Sequence, residues 1–115
     1  MELSLTDEQR MAREMVRAFA EKEVKPVAGP MDHDGVYPAD LVRKLAEIGL
    51  MGAFLPPELG GSSMDLISYV VAMEEISKAW ASLGVIMTVN NSLVCDPIFR
   101  FGNDHQKRKY LPALA

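Results

Sequence analysis

A chain of 115 residues is enough for one compact domain and too short for two. Apolar residues make up 49% and charged residues 24%, the balance of a globular protein with a real core, which excludes a disordered or fibrous chain. The net charge of -4 speaks against nucleic acid as the main partner and against an anionic membrane surface, because both need clustered Lys and Arg.

The one basic cluster, Lys107-Arg108-Lys109, is short and reads as a solvated helix face. Cys95 is the single cysteine, so no internal disulfide forms, which fits a reducing compartment. Met1-Glu2-Leu3-Ser4 is acidic where a signal peptide is basic, and no apolar stretch follows it. Apolar runs such as 85–87 fall far short of the ~20 residues of a membrane span. The expectation is a soluble, cytoplasmic protein with no membrane span.

A first helix begins at Thr6. Thr6-Asp7-Glu8-Gln9 is a capping box, with two acids placed at the positive end of the helix dipole. Ala12, Met15, Val16 and Phe19 recur at helical spacing, and the pattern runs to about Val24. Pro26 either stops this helix or starts a short new one. Residues 29–35, bounded by Gly29 and Gly35, read as a loop. A second helix starts near Pro38, with Leu41, Val42, Leu45 and Ile48 as its buried stripe and Gly49 as a left-handed cap. Pro56-Pro57 and Gly60-Gly61 make residues 50–63 irregular.

A third helix is expected over 65–80, with Leu66, Tyr69, Val70, Met73, Ile76 and Trp80 on one face. Ser82 caps a fourth, running to about Cys95. No charged residue occurs in 82–95, and a helix polar on no side is expected to be buried. Pro97 and Gly102 break the chain, and Asn103 or Asp104 caps a last helix ending near Leu111-Pro112. No strand is expected. The fold class is all-α, a helical bundle around one core, as a single domain over 1–115.

Several segments then stand in a telling order. They are Leu5-Thr6-Asp7-Glu8-Gln9, Tyr37-Pro38, Leu45-Ala46-Glu47-Ile48-Gly49-Leu50-Met51-Gly52 and Pro57-Glu58-Leu59-Gly60-Gly61. Met73-Glu74-Glu75-Ile76-Ser77, Val89-Asn90-Asn91-Ser92-Leu93, Pro97-Ile98, Phe101-Gly102 and Gln106-Lys107-Arg108-Lys109-Tyr110-Leu111-Pro112 follow. Together they resemble the N-terminal helical domain of acyl-CoA dehydrogenases over nearly the whole chain. Gly29-Pro30 departs from that pattern, since the family keeps a helical stretch there.

The resemblance implies an oxidoreductase acting on CH–CH bonds, in which FAD takes a hydride from the β-carbon of an acyl-CoA after a glutamate removes the α-proton. It implies that the catalytic base, the β-domain and the C-terminal helical domain lie outside these residues. The 115 residues are then inactive alone and hold no FAD by themselves, and no catalytic residue is assigned here. Electron-transfer flavoprotein and a homo-oligomeric assembly are the implied partners of the complete enzyme. The Val89-Asn90-Asn91-Ser92-Leu93 form looks closest to short-chain, butyryl-type members.

An acyl tail needs an apolar slot that holds Cα–Cβ against the flavin. The resemblance places walls of that slot at Ile86, Met87, Val89, Asn90 and Leu93. The plainer reading makes the apolar ones helix core and makes Asn90 and Asn91 partners of a neighbouring loop backbone. Glu74-Glu75 is no acid–base pair, since adjacent helix positions point about 100° apart. Asp32-His33-Asp34 reads as a solvated loop without metal-ligand spacing, His105 as surface, Cys95 as a small buried hydrophobe and Trp80 as a core or interface anchor. Gly60-Gly61 lacks the spacing of a phosphate loop.

Two further readings stand beside the dehydrogenase. One is a stand-alone helical module that binds a protein or an acyl ligand, which predicts a closed surface. The other is the equivalent domain of an acyl-CoA oxidase or a related flavin monooxygenase. A dehydrogenase domain predicts exposed apolar patches where other domains dock.

Overall fold

The computed structural model describes residues 4–115, and no strand occurs among them. Met1, Glu2 and Leu3, on which the reading of the amino terminus rests, lie outside the described residues. Helix α1, Asp7–Phe19, starts as the sequence dictates: the Thr6 hydroxyl accepts from the Gln9 N–H at 3.2 Å and the Gln9 side chain accepts from the Thr6 N–H at 3.0 Å.

The loop expected over 29–35 does not form. The chain passes through a π-turn, Ala20–Val24, into α2, Lys25–Asp34, and only Gly35 turns left-handed, at φ 65°. In the π-turn the Lys25 N–H reaches back five residues to the Ala20 carbonyl. Pro26 then falls in a first helical turn, where its missing N–H is not needed and its ring has the room of a widened turn. Burial of Ala20, Val24 and Ala28 along one side favours continuation. Asp32-His33-Asp34 is therefore the last turn of α2. Asp32 accepts from the Trp80 indole N–H at 3.0 Å and lies 3.4 Å from the Ser82 hydroxyl, while His33 stays exposed beside Asp34.

Helix α3, Ala39–Glu47, buries Leu41 and Leu45. Gly49, at φ 82°, ends it, and the Leu50 N–H bonds the Leu45 carbonyl at 2.9 Å, closing the left-handed cap. Residues 50–63 are irregular apart from one 3-10 turn, Pro57–Leu59. This segment nevertheless enters the core, burying Leu50, Met51, Ala53 and Leu55.

Helix α4, Leu66–Ala79, is capped by Asp65, whose side chain accepts from the Ser68 N–H. Its buried side differs from the expected one. Tyr69 and Ile76 are inside, but Leu66 and Val70 face outward and Ser68, Ala72 and Glu75 take their places. Glu75 is only 5% exposed because Arg17 on α1 grips it with two bonds of 3.0 and 3.1 Å and Lys78 adds a third at 3.2 Å. Glu74 pairs with Arg13 at 3.3 Å. The two glutamates thus join α4 to α1.

A single extended residue, Trp80, turns the chain into α5, Ala81–Val89, so Ser82 is not the cap; it lies inside the first turn. Gly84 lets α5 press on α4, since an added Cβ would collide with the Ser77 hydroxyl. Pro97 does not break this helix. A second π-turn, Asn90–Cys95, precedes it and leads into α6, Asp96–Phe101, with the Asp96 N–H bonded to the Asn91 carbonyl. The arrangement repeats that at Pro26.

The result is one continuous helix of 21 residues, Ala81–Phe101, long and apolar enough by length and composition to cross a membrane, which the short apolar runs did not suggest. A core helix passes the same test, and this one seats Leu83, Gly84, Met87, Asn91 and Cys95 inside the protein. Only 28% of its apolar stretch is buried, against the expectation of full burial. Gly102 does break the chain. Asn103 and Gln106 form a second capping box, and α7, Asp104–Leu114, runs past Leu111 with Pro112 inside it. Leu111 meets Cys95 and Leu55 in a small second core. The molecule is a slab of 41 × 40 × 21 Å, about two helices thick.

Candidate functional site

The loop that enters the core brings backbone N–H and C=O groups with it, and each needs a partner there. The Asn90-Asn91 pair supplies them from the π-turn. Asn91 is 2% exposed; its carboxamide oxygen accepts from the Ala53 N–H at 2.8 Å, and its nitrogen donates to the carbonyls of Leu50 at 2.7 Å and Met87 at 2.9 Å. The Asn90 nitrogen donates to the carbonyls of Met51 at 2.7 Å and Leu114 at 2.9 Å. Both asparagines therefore serve a loop backbone, and Asn90 also ties down the end of α7.

Beside this knot runs a groove of about 470 Å³. Val85, Ile86, Val89, Asn90 and Val94 of the long helix form one wall; Tyr37, Val42, Met51, Ala113 and Leu114 complete it. None of these side chains is charged. The groove unites Ile86, Val89 and Asn90 of the five residues singled out in the sequence. Met87 is fully buried in the main core and backs the wall from behind. Leu93 is 69% exposed and is not part of the groove's lining. Val94 follows Asn90 by four residues, so helical spacing alone could have found it. Met51, Tyr37 and Leu114 come from distant segments and carry no local signal.

On the opposite side of the long helix lies a cavity of about 540 Å³ beside Phe54, Leu66, Ser92 and Phe99, with the Asp96–Arg100 pair at its edge. The exposed apolar surface is extensive: Leu66, Leu93 and Phe101 all stand mostly in solvent.

The titratable groups are structural in character. Burial pushes the Cys95 thiol and the Tyr69 hydroxyl up, and Tyr69 lies 3.0 Å from the Thr88 hydroxyl. The Arg17 hydrogen bond, aided by Lys78, holds the Glu75 carboxyl below its ordinary value. Apart from the Tyr37 hydroxyl, no acid, base or nucleophile lines the groove. What it offers is an apolar, uncharged slot of fixed shape, suited to binding an aliphatic chain and excluding water.

The family model for the acyl-CoA dehydrogenase N-terminal domain matches residues 6–115. The chain belongs to this family. An acyl-CoA dehydrogenase of Bacillus subtilis is 44% identical over 98% of the chain and 30% of its own length. The mouse mitochondrial short-chain specific acyl-CoA dehydrogenase is 43% identical over 95% of the chain and 26% of its own length. Bacterial and mitochondrial enzymes are thus both among the relatives, and the chain spans less than a third of their length.

Solved structures agree. Butyryl-CoA dehydrogenase of Megasphaera elsdenii superposes with a TM-score of 0.89 at 34% identity, over 99% of this chain and 30% of that one. A glutaryl-CoA dehydrogenase of Mycobacterium smegmatis in complex with FADH2 gives 0.91 at 25% identity, over 96% and 28%. A chain from work on the electron transferring flavoprotein of Acidaminococcus fermentans gives 0.92 at 37% identity, over 100% and 30%.

Proposed function

We propose that these residues are the N-terminal helical domain of a FAD-dependent acyl-CoA dehydrogenase, acting in fatty acid metabolism, and that the groove along Ile86, Val89 and Asn90 is part of its acyl slot. The supporting observation is the uncharged groove on a helix whose outer face is left apolar and exposed. The role of the chain's own residues is to bind and align: Val42, Ile86, Val89 and Val94 exclude water from an aliphatic tail, and the two carboxamides keep the opposite wall in place.

The groove holds no cation to neutralise a pyrophosphate, so its residues do not fit FAD. In this proposal FAD and the catalytic base are held mainly by the rest of the enzyme. We further assign the enzyme a short acyl group, a cytoplasmic location, a homo-oligomeric assembly and electron-transfer flavoprotein as its electron acceptor. The butyryl-CoA and short-chain specific relatives support the first of these. The exposed Leu66, Leu93 and Phe101 favour a domain that docks on others over a closed stand-alone module.

The test uses the complete protein with its flavin bound. Butyryl-CoA should bleach the flavin absorbance. Val89→Trp, which fills the groove, should lower kcat/KM for acyl-CoA by about tenfold or more, an effect worth about 1.4 kcal/mol. No bleaching by acyl-CoA of any length would sink the proposal.

A further inference from the structure

The groove's floor is a loop residue, Met51, and loops rarely hold a buried shape without fixed backbone partners. Three consecutive features hold this one. The Leu50 carbonyl and the Ala53 N–H both end on Asn91, the Met51 carbonyl ends on Asn90, and Met51 itself is buried against the core. Asn91 is anchored in turn by its bond to the Met87 carbonyl, one turn back on the same helix. The π-turn that begins at Asn90 precedes Pro97, so the proline and the asparagines are parts of one local arrangement.

We infer that Asn91 is a positioning residue for this groove: through the Leu50 carbonyl and the Ala53 N–H it sets the place of Met51, and thereby the depth of the slot and the length of aliphatic chain it admits. The inference rests on the reading of the groove as an acyl slot. Asn91 is not among the groove-lining residues, and its three bonds leave no free donor, so it acts through Met51 and not on the ligand. Leu in its place would keep the size and lose every bond. The loop would then be released and the floor would recede.

The experiment compares kcat/KM for butyryl-CoA and octanoyl-CoA in the complete flavin-loaded protein. Hydrogen exchange at the Ala53 amide is followed in parallel. Asn91→Leu should speed that exchange and shift the ratio about tenfold toward octanoyl-CoA. Met51→Ala, which lowers the floor without touching the carboxamide, should shift the ratio the same way. Asn91→Ala, where water can replace part of the lost bonding, serves where the Leu variant does not fold, with the same direction expected. Ile76→Ala, a core deletion on α4, should leave the ratio within about twofold. An unchanged ratio with faster Ala53 exchange overturns the inference alone. So does an equal shift in Ile76→Ala, because lost stability would then explain it. A wild type that turns over neither substrate overturns the functional reading and this inference with it.

Discussion

Two seams hold this slab together, and they use opposite chemistry. Between α1 and α4 the join is ionic: Glu75, nearly buried, sits among Arg17 and Lys78, which reach in from solvent, and Arg13, whose Nε is buried 3.9 Å away. Between the long helix and the 50–63 segment the join is neutral, two carboxamides against two backbone carbonyls and one backbone N–H. Helix faces have satisfied their own backbones and need only side-chain matches. An irregular segment brings unsatisfied peptide groups inside, and a carboxamide, both donor and acceptor, can serve them without the cost of burying a charge.

The contrast predicts different sensitivities. Asn91→Leu should be the most costly change, about 3 kcal/mol or more, since it strands a buried N–H and a buried carbonyl. Denaturant unfolding of the 115-residue domain, or of the complete protein, would measure it, and a loss near zero would show that the loop does not depend on the knot. Glu75→Gln should cost less, about 1–2 kcal/mol, because Arg17 is half exposed and water screens part of the pair.

The ionic seam should also respond to pH. The folded Glu75 carboxyl titrates below its ordinary value of 4.5, so its contribution is complete above that value and disappears as pH falls through the depressed one. The gap between wild type and Glu75→Gln should therefore close in acid, while the Asn91→Leu gap stays open wherever the protein remains folded. The smallest effect is that of salt. About 1 M sodium chloride should narrow the Glu75→Gln gap by a few tenths of a kcal/mol and leave the Asn91→Leu gap unchanged. Equal narrowing of both would erase the distinction between the seams.

What could be read from the sequence divides along the same line. The capping box at Thr6, the cap of the last helix, which falls on Asn103 of the two residues expected, and the glycine cap at Gly49 depend on residues within a few positions, and all three form. At Pro26 the second of the two expected outcomes, a short new helix, is the one that forms; Pro97 misled because a π-turn upstream absorbs it, and whether a helix then continues is decided by what its face packs on. The inward side of α4 misled because Glu75 is buried by an arginine 58 residues away. The asparagine pair was legible as loop-binding in kind, though not which loop. Of the groove's ten lining residues three, Ile86, Val89 and Asn90, were named through the family resemblance, while Tyr37, Met51 and Leu114 come from distant segments with no local signal.

The π-turn also sets a limit on how this gene can change. A π-turn holds one residue more than an α-turn, so losing a single codon between Asn90 and Cys95 would let the helix close into regular α form. Everything after it would keep its facing, because the turn that absorbed the extra residue is the one that gives it up. The same loss in the regular turns of 81–89 would rotate everything after it by about 100°, turning Asn90 and Asn91 away from the Met51 and Leu50 carbonyls and Cys95 away from Leu55. Substitutions on the outer face of this helix are local events; a one-residue deletion in its regular α-turns is a change of register for the whole carboxyl-terminal third, and the π-turn is the one place where the helix can lose a residue without it.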